Sequence, residues 1–468
     1  MTTVRDRVAA RAAESAVLEA LPSDLPAVER RAAIPDGFRA AAGIAGIKAS
    51  GRPDVALIVR RGKETFPAAA VFTPNRFAAA PVRRSRLNLL ATEPGGNGGF
   101  GYADAVVCTS GCANAATGAA GDADQAEVGR MVHEATGAHE DRVLHLSTGL
   151  IGTRLPLDRV GPAIAALAPS LASTDEALLA AAEAFRTTDS VVKVATASVD
   201  LPAPGGRGRS AVPVRVTGIA KGVGMIHPTM ATMLSVLVTD AGASPRLLWE
   251  VLRQATARTW NQLTVDGDTS TNDTVFLLGS GAAGVIVDER TRAAFAGAVE
   301  AVARDLARQQ AADGEGATAL ITCQVSGAVD DAEARAVARV VVSSSLVKTA
   351  VHGRDPNWGR IAGAAGNAAL ARAAVLEAAG LPAPEARERG GSAAQVDPDK
   401  LRIAIAGHLV YDGPSGGPIE FDREAARRDM AGKEVLLRLD LGLGDGRGEA
   451  FGCDLTEAYV IENSEYTT

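Results

Sequence analysis

A threonine that follows a small residue, Thr232 after Ala231, is the feature of this sequence that could carry the most distinctive chemistry. The Thr232 hydroxyl can attack the carbonyl carbon of Ala231, and hydrolysis of the resulting ester would leave Thr232 as a new N-terminus. A free α-amine titrates near ~7.7–8.0, so at neutral pH it can serve as the base for its own hydroxyl. This pairing is a known way to activate a weak nucleophile. We therefore predict cleavage between Ala231 and Thr232, with Thr232 as the catalytic nucleophile.

The segments on either side of this pair could position it. A glycine-punctuated run from Lys221 leads to Pro228, and a strand-like run, Leu234–Thr239, follows. An Ala–Thr pair alone would mean little in an alanine-rich chain, so the prediction depends on these neighbours. Lys221 lies in an otherwise uncharged run, where a lysine could bind a substrate carboxylate. The alternative is a surface lysine whose stem alone is buried.

Two adjacent residues at a glycine-rich turn could stabilise the oxyanion that forms when a threonine attacks a carbonyl group. Such an oxyanion needs donors placed at ~3 Å, often a backbone N–H and a hydroxyl. Thr148 can offer a hydroxyl, and Gly149, which has no side chain, can bring its N–H close. Taken alone, the pair could equally be an ordinary turn after a strand.

Three other polar segments could contribute to a binding site. Thr187 lies in the run Arg-Thr-Thr-Asp, and Glu315 is a carboxylate between two glycines, suited to bind an ammonium group. Residues 264–274 are rich in Asp and Thr but lack the closing Glu of a calcium-binding loop. We interpret them as a hydrogen-bonded turn that supports a site. Each of these segments could also be a solvated turn.

Composition argues against several classes of function. A net charge of -7 leaves no basic excess to neutralise phosphates, so we do not expect nucleic acid as a main partner. Four cysteines scattered over 468 residues fit a reducing compartment without disulfides, and we predict that Cys108 and Cys112 are buried. The six histidines are dispersed without metal-ligand spacing, so no metal centre is predicted.

The sequence also predicts where the protein resides. No run approaches the ~18 apolar residues of a membrane span, and the N-terminus lacks the apolar core of a signal peptide. We predict a cytoplasmic protein without membrane association. Residues 1–35 are predicted to be an N-terminal extension containing a short amphipathic helix. Residues 96–101 match GxGxxG, but they lack the preceding strand and following helix of a nucleotide-binding turn, so we predict a loop.

From residue 36 onward, β-branched runs intermix with helical patterns, which predicts an α/β or α+β fold of layered mixed sheets. Ser244 is predicted to cap the helix that begins at Pro245. The stretches 202–210 and 382–398 are predicted to be surface insertions or linkers. Strands are predicted at residues 55–60, 69–72, 104–108, 143–146, 212–219, 234–239, 274–278, 320–325, 338–343, 400–406 and 434–441. Helices are predicted at residues 123–135, 175–185, 245–260, 290–312, 357–379 and 423–431.

Seven motifs occur in an order that resembles the ornithine acetyltransferases, the glutamate N-acetyltransferase family of arginine biosynthesis. They are KGVGMIHPTMATML, LSTGLIG, RTTD, TVDGDTSTNDT, DGEGAT, GRDPNWGRIA and the terminal NSEYTT. The resemblance covers roughly residues 36–468. Because several motifs agree in order, it is much more specific than any one of them. Some features, including KGVG, are closer to relatives in clavulanic-acid-type secondary metabolism.

The resemblance implies an Ntn-hydrolase-like sandwich of mixed sheets. It further implies self-cleavage into an α chain, residues 36–231, and a β chain, residues 232–468, which stay together as an α2β2 assembly. Thr232 would take the acetyl group from N-acetylornithine and pass it to glutamate by a ping-pong route. Thr148 and Gly149 match the oxyanion pair of the family. Substrate-contacting positions are matched by Thr187, Lys221, Thr232, Glu315, Asn463 and Thr468.

The resemblance implies no metal or other cofactor, with acetyl-CoA as a possible second acetyl donor. His227 and Thr229 stand where arginine-pathway members usually carry Ala and Asn, so an acetyltransferase of a secondary-metabolite pathway with a different acceptor is one alternative. A second is an N-terminal-threonine amidohydrolase or aminopeptidase, in which water is the acceptor. A third is a non-catalytic binding or assembly protein, which would not be cleaved.

Overall fold

The computed structural model describes residues 18–203, 211–227 and 233–465, and the chain divides into two compact units. The larger unit comprises Asp24–Gly316, Glu377–Leu381 and Glu457–Thr468. The smaller unit comprises Met1–Ser23, Ala317–Leu376 and Pro382–Thr456. The helix predicted at the N-terminus falls mainly on residues 1–17, which lie outside the described residues. The predicted division into α and β chains is a processing boundary, and it falls within the sequence of the larger unit.

The larger unit contains two mixed β-sheets. Its strands are β1 (Val28–Glu29), β2 (Phe38–Gly43), β3 (Val55–Arg60), β4 (Phe66–Phe72), β5 (Phe100–Ala103), β6 (Ala105–Cys112), β7 (Val143–Leu150), β8 (Lys193–Leu201), β9 (Val212–Lys221), β10 (Leu234–Thr239) and β11 (Thr274–Gly279). One sheet has the order β1-β8-β9-β10-β11-β4-β5, and the other has the order β2-β3-β6-β7.

Strand register brings distant parts of the sequence side by side. In the larger sheet, β10 is antiparallel to β9 and parallel to β11, so that Leu234 pairs with both Lys221 and Thr274. In the smaller sheet, β6 and β7 are parallel, and Gly111 pairs with Gly149. The end of each sheet therefore carries residues that the sequence analysis singles out.

The described residues of the larger unit before residue 317 also form six α-helices. They are α1 (Ala80–Thr92), α2 (Gly118–Thr136), α3 (Leu157–Leu167), α4 (Asp175–Phe185), α5 (Pro245–Arg258) and α6 (Arg292–Ala312). Ser244 caps α5 by accepting the Leu247 N–H, which confirms the predicted cap.

The helices and sheets form layers. Side chains of α1 and α4 share one apolar core with the facing sides of both sheets, as Leu89, Phe185, Ile58 and Phe276 illustrate. The other side of the smaller sheet packs against α2 and α3 in a second core, whereas α5 and α6 pack on the larger sheet. The predicted layered α/β fold with mixed sheets is thus confirmed.

The smaller unit is built on a six-stranded sheet. Its strands are β12 (Leu320–Ala328), β13 (Arg402–Ile405), β14 (His408–Asp412), β15 (Gly417–Pro418), β16 (Glu434–Asp440) and β17 (Gly446–Cys453), in the order β15-β14-β13-β16-β12-β17. Helices between residues 331 and 429 are α7 (Asp331–Ser343), α8 (Ser345–His352), α9 (Trp358–Ala365), α10 (Ala373–Ala378), α11 (Ala383–Arg389) and α12 (Arg423–Asp429). A last helix, α13 (Glu457–Glu465), belongs to the larger unit.

Two predicted elements are wrong. The strand predicted at 338–343 is the end of α7, because Asp330 caps that helix through the Ala332 and Glu333 N–H groups and the valines of the run lie on its buried face. The helix predicted at 357–379 is two short helices, α9 and α10. Between them, residues 366–367 form a turn, and Ala369 bridges to Ala393. The stretch predicted as a linker at 382–398 contains α11.

Two general predictions can be compared with the described residues. Cys108 and Cys112 are buried, as predicted, and Cys323 and Cys453 are buried as well. No helix within the described ranges is long and apolar enough to cross a membrane.

Candidate active site

Six of the residues that the sequence predicts to be functional line one cavity of about 130 Å³ in the larger unit. They lie at the ends of β7 and β9, in the loops after α4 and α6, and on α13: Thr148, Gly149, Thr187, Lys221, Glu315 and Asn463. Segments that are far apart in sequence therefore meet at one place. The other predicted site residues, Ala231, Thr232 and Thr468, lie outside the described residues.

One end of the cavity, which we call the Thr148 corner, consists of Gly111, Thr148 and Gly149 and is built by close backbone packing. Gly149 has a φ of 128° and Gly111 a φ of 108°, both in the region that favours glycine. A Cβ atom on Gly149 would lie 2.3 Å from the carbonyl carbon of Gly111. A larger residue therefore cannot occupy position 149 unless the main chain moves.

Thr148 is buried at this corner with its hydroxyl polarised by a lysine. Its Oγ1 accepts a hydrogen bond of 3.3 Å from Lys221 Nζ. A hydroxyl that accepts from an ammonium group keeps its own hydrogen available for another acceptor. Thr148 can therefore donate to an oxyanion formed in the cavity.

Asn272 ties the Thr148 corner to the segment comprising residues 264–273. Its Nδ2 donates hydrogen bonds to the carbonyl groups of Ala113, at 2.7 Å, and Ser147, at 2.8 Å. The chain directly before Thr148 is thus fixed by a buried amide. Residues 264–274 were predicted to be a hydrogen-bonded turn that supports a site, and the contacts of Asn272 with the cavity wall agree with that interpretation.

A second part of the site, which we call the charged end, consists of Lys221 and Glu315, which line the cavity, and of Asp189, Lys193 and Asp313, which do not line it. Lys193 is fully buried, and its Nζ lies 2.7 Å from Asp189 Oδ1 and 2.6 Å from Asp313 Oδ2. Burial alone would raise the pKa of Asp189, but the positive charges of Lys221 and Lys193 outweigh it and hold that pKa below its usual value. Asp189 is therefore ionised at neutral pH.

As a carboxylate, Asp189 fixes two pieces of main chain beside the cavity. Its Oδ1 accepts the Gly222 N–H at 2.8 Å, and its Oδ2 accepts the Thr187 N–H at 3.1 Å. Gly222 directly follows Lys221 in the chain. Two of the six predicted substrate-contacting residues, Thr187 and Lys221, are thus held in place by one buried anion.

Glu315 presents a carboxylate to the cavity. Its Oε1 accepts from the Thr188 hydroxyl at 3.0 Å, and its Oε2 accepts from Asn463 Nδ2 at 3.1 Å. A Cβ atom on Gly224 would lie 2.2 Å from Glu315 Oε2, so the carboxylate in its present position packs directly against this glycine. A partly buried carboxylate with two neutral donors still has acceptor capacity for an ammonium group.

Further acidic groups surround Glu315. Burial, followed by the negative charges of Glu315 and Asp313, raises the pKa of Glu462. Burial likewise raises the pKa of the Tyr459 hydroxyl, with Asp266 and Glu315 adding to the effect. This side of the cavity is therefore electrostatically suited to a cation.

One half-buried and one buried carboxyl group hold the main chain on either side of residues 228–232. Before these residues, Asp266 accepts the N–H groups of Met225 and Ile226. After them, Asp273 Oδ1 accepts the Met233 N–H at 3.0 Å, and Met233 itself is buried. In the sequence, the predicted nucleophile Thr232 therefore lies between two stretches of main chain that are anchored by hydrogen bonds.

The sequence analysis does not identify Lys193, which supports the charged end. The sequence feature that could have identified Lys193 is its position within the apolar run from Val191 to Val194. If that run is buried, an ionised side chain in it needs a partner. Neither β8 nor its burial was predicted, so that need was not apparent. The acidic partners, Asp189 and Asp313, lie within motifs that were singled out.

Two other predictions concern cofactors. Within the described ranges, no group of His, Cys, Asp and Glu side chains is arranged to hold a metal ion. The GxGxxG match at residues 96–101 follows α1 and runs through a turn into β5, so it is outside a strand–turn–helix unit; the predicted loop is limited to residues 97–99.

Comparisons with known proteins give consistent results. The ArgJ family model matches residues 39–468. The chain is 44% identical over 455 residues to the arginine biosynthesis bifunctional protein ArgJ of Synechococcus sp., covering 93% of this chain and 96% of the relative. It is 42% identical over 437 residues to the protein of the same name from Thermus thermophilus, covering 93% and 99%. A crystal structure of arginine biosynthesis bifunctional protein ArgJ from Bacillus halodurans matches at 38% identity with a TM-score of 0.43, covering 50% of this chain and 100% of that chain.

Proposed function

The chain belongs to the ArgJ family, and we propose that it moves an acetyl group from N2-acetylornithine to glutamate in arginine biosynthesis. The products are ornithine and N-acetylglutamate, and the acetyl group is carried between them as an ester of Thr232. The observation that supports this proposal most is the convergence of six predicted residues on one cavity.

The first event is self-cleavage. The Thr232 hydroxyl attacks the carbonyl carbon of Ala231, so that a C–O bond forms as the C–N bond breaks, and the nitrogen of Thr232 takes up a proton. Water then hydrolyses the ester, which leaves a carboxylate on Ala231 and a free hydroxyl and amine on Thr232. The anchored chain at Ile226 and Met233 restricts both ends of the segment in which this occurs.

Acetyl transfer uses the same threonine in two half-reactions. The Thr232 amine takes the proton of its own hydroxyl, and Oγ attacks the acetyl carbonyl of N2-acetylornithine. The resulting oxyanion receives hydrogen bonds from the Thr148 hydroxyl and the Gly149 N–H. Its collapse breaks the C–N bond, and the proton passes to the leaving amine of ornithine. Glutamate then attacks the ester through its amine, and the Thr232 hydroxyl is regenerated.

Both substrates occupy one site in turn, which fits a ping-pong cycle. Lys221 binds the carboxylate of either substrate, and Glu315 with Asn463 binds the side-chain ammonium group of N2-acetylornithine. Thr187 and Thr468 complete the substrate contacts. Positioning by such groups stabilises the transition state because the reacting atoms are already aligned when the substrate is bound.

Several finer properties form part of the proposal. The α and β chains stay together as an α2β2 assembly in the cytoplasm, and the reaction needs no metal or other cofactor. The relatives are named bifunctional proteins, which supports a second acetyl donor. We propose acetyl-CoA for that role.

Denaturing electrophoresis and mass spectrometry test the cleavage. The wild-type protein should give two fragments of roughly equal mass, the second beginning at Thr232. Thr232→Ala should stay uncut and inactive, whereas the matched control Thr229→Ala should still be cut. Active protein that is a single uncut chain would exclude the proposed chemistry.

Labelled N2-acetylornithine tests the transfer. With glutamate present, the label should appear in N-acetylglutamate, and without glutamate it should remain on the fragment that begins at Thr232. Release of acetate alone, whether glutamate is present or not, would indicate a hydrolase instead. Labelled acetyl-CoA in the same assay tests the second donor.

A further inference from the structure

The cavity has to accept two substrates whose side chains carry opposite charges. N2-acetylornithine ends in an ammonium group, whereas glutamate ends in a carboxylate. Among the described residues that line the cavity, Lys221 is the one cation and Glu315 the one anion. Because Lys221 binds the α-carboxylate of either substrate in the proposed reaction, both side chains extend toward Glu315. The side chain of glutamate therefore meets a group of the same charge.

The hydrogen-bond donors beside Glu315 are already in use. The Thr188 hydroxyl donates to Glu315 Oε1 at 3.0 Å. Asn463 Nδ2 donates to Glu315 Oε2 at 3.1 Å and to the Tyr459 carbonyl at 3.0 Å. A hydroxyl has one hydrogen to donate and a side-chain amide has two, so neither group keeps a hydrogen for a ligand. An ammonium ligand needs only acceptors here, but a carboxylate ligand needs a donor.

The amide of Asn463 cannot supply that donor by turning round. The turn would exchange Nδ2 and Oδ1 and bring Oδ1 against Glu315 Oε2 and the Tyr459 carbonyl oxygen. Two hydrogen bonds would thus become two contacts between acceptors. Thr187 also lines the cavity and can offer its hydroxyl, but a hydroxyl does not compensate a negative charge.

The charges around Glu315 also disfavour a second carboxylate. Asp313 lies two residues before Glu315, and Glu462 lies on α13. Burial, followed by the charges of Glu315 and Asp313, raises the pKa of Glu462. Burial, followed by the charges of Asp266 and Glu315, raises the pKa of the Tyr459 hydroxyl. Where like charges share a site, protonation of one carboxyl group relieves the repulsion.

Neither cation of the charged end can compensate the side chain of glutamate. Lys193 Nζ lies 2.7 Å from Asp189 Oδ1 and 2.6 Å from Asp313 Oδ2, so its charge is already paired. Lys221 is assigned to the α-carboxylate of the substrate. The remaining way to accept a second carboxylate is to add a proton.

We propose that Glu315 distinguishes the two substrates by its protonation: as a carboxylate it binds the ammonium group of N2-acetylornithine, and with a proton taken up from solvent it donates a hydrogen bond to the γ-carboxylate of glutamate. This inference rests on the proposed function, because it requires both substrates to share one site. The proton supplies the missing donor and removes one of two like charges. A hydrogen bond from a carboxyl group to a carboxylate is also stronger than one between neutral groups. The proton returns to solvent when N-acetylglutamate leaves.

Proton uptake makes the affinity for glutamate depend on pH. While Glu315 of the free enzyme is a carboxylate, binding that takes up a proton weakens by about tenfold for each unit rise in pH. Glutamine is the matched ligand, because it has nearly the same shape and a neutral side chain whose amide N–H can donate to the carboxylate. Protonation changes at the amino-acid end affect both ligands alike and cancel in the ratio of their affinities.

Calorimetry on cut wild-type protein without an acetyl donor tests this proposal. Between about pH 6.5 and about pH 8, the dissociation constant of glutamate should rise by about tenfold per pH unit relative to that of glutamine. A ratio that does not change with pH would overturn the inference, even where the labelled-transfer assay succeeds. Failure of that transfer assay would refute the proposed function instead.

Two variants test whether Glu315 is the group that takes up the proton. Glu315→Gln introduces an amide that can donate at any pH, so the ratio should no longer depend on pH. Near pH 8 this variant should bind glutamate about tenfold or more tightly than wild type does. The matched control, Glu462→Gln, should keep the pH dependence of wild type. A dependence that persists in Glu315→Gln, or that is lost in Glu462→Gln, would overturn the assignment to Glu315.

Discussion

The Thr148 corner and the charged end of the cavity are built in different ways. At the corner, two glycines allow the ends of β6 and β7 to approach until a single added carbon would meet backbone at 2.3 Å. At the charged end, a buried lysine neutralises two carboxylates, and one of these fixes the chain at Thr187 and Gly222.

Because of this difference, we expect the two parts of the site to be sensitive to different kinds of substitution. A site made by backbone approach is disrupted by added atoms, since a main-chain atom cannot move as readily as the end of a side chain. A site made by buried charges is disrupted by removing one of them, since the remaining charges lose their compensation. The two ends of one cavity should therefore respond to different substitutions and in different measurements.

The largest effect is expected at the charged end, on stability. Lys193→Met should lower the free energy of unfolding by about 3–5 kcal/mol, because Asp189 and Asp313 would be left buried without their cation. Urea denaturation measures this change. The control is Arg30→Met, which removes an ion pair with Asp305 in which Arg30 is 60% exposed, and should cost less than about 1 kcal/mol. Equal losses in both variants would mean that the buried cluster is not what stabilises this end.

The next effect is expected at the Thr148 corner, on turnover. Gly149→Ala should lower kcat by about 10²–10³-fold, as expected for loss of one oxyanion donor, because the main chain must move to admit the methyl group. Gly152→Ala is the control: its φ of 87° is also positive, but an added Cβ would have no atom within 4 Å. If Gly152→Ala lost as much turnover as Gly149→Ala, positive φ and not close approach would be the cause.

A smaller effect separates binding from chemistry at the charged end. Glu315→Gln should raise KM for N2-acetylornithine by about 10–100-fold with a smaller change in kcat, because it replaces a charge-assisted hydrogen bond with a neutral one. Glu462→Gln, which alters a neighbouring exposed carboxyl group, should leave KM within a few-fold of wild type. Steady-state kinetics measures kcat and KM for both variants. A loss of kcat without a change in KM would place Glu315 in the chemical step and not in binding.

The smallest effect should appear only in acid. Because the folded-state pKa of Asp189 lies below its usual value, the stability it contributes is complete above about pH 4 and is lost as the pH falls from there toward the folded-state pKa. Asp189→Asn should therefore flatten the decline of stability with pH below about pH 4. Urea midpoints measured across this range test the prediction, and an unchanged slope would show that another group controls acid unfolding.

The same contrast explains what could be predicted from sequence. Runs of β-branched residues predicted β3 and β10 with their observed bounds, because those strands are buried on both faces. The family resemblance predicted which residues would share a site. It could not predict the approach of Gly111 to Gly149, because strand order and register are long-range properties.

The elements that were missed or wrong failed for physical reasons. The valine run at 338–343 has strand propensity, but the Asp330 cap and helical packing override it. Lys193 was not identified, because its role depends on burial between two carboxylates that come from other segments. Residues that support a site from outside it are thus harder to recognise in the sequence than the residues of the site itself.

The burial of all four native thiols has a practical consequence for tracking this protein. Desolvation raises the pKa of the Cys108 thiol to about 12, against the opposing charges of Lys48 and Lys221, and the other cysteines are buried as well. Maleimide dyes react with accessible thiolates, so folded protein should stay unlabelled under native conditions. Phe77→Cys, at a position that is 70% exposed, would therefore accept one fluorophore per chain, and the wild-type background need not be made cysteine-free first.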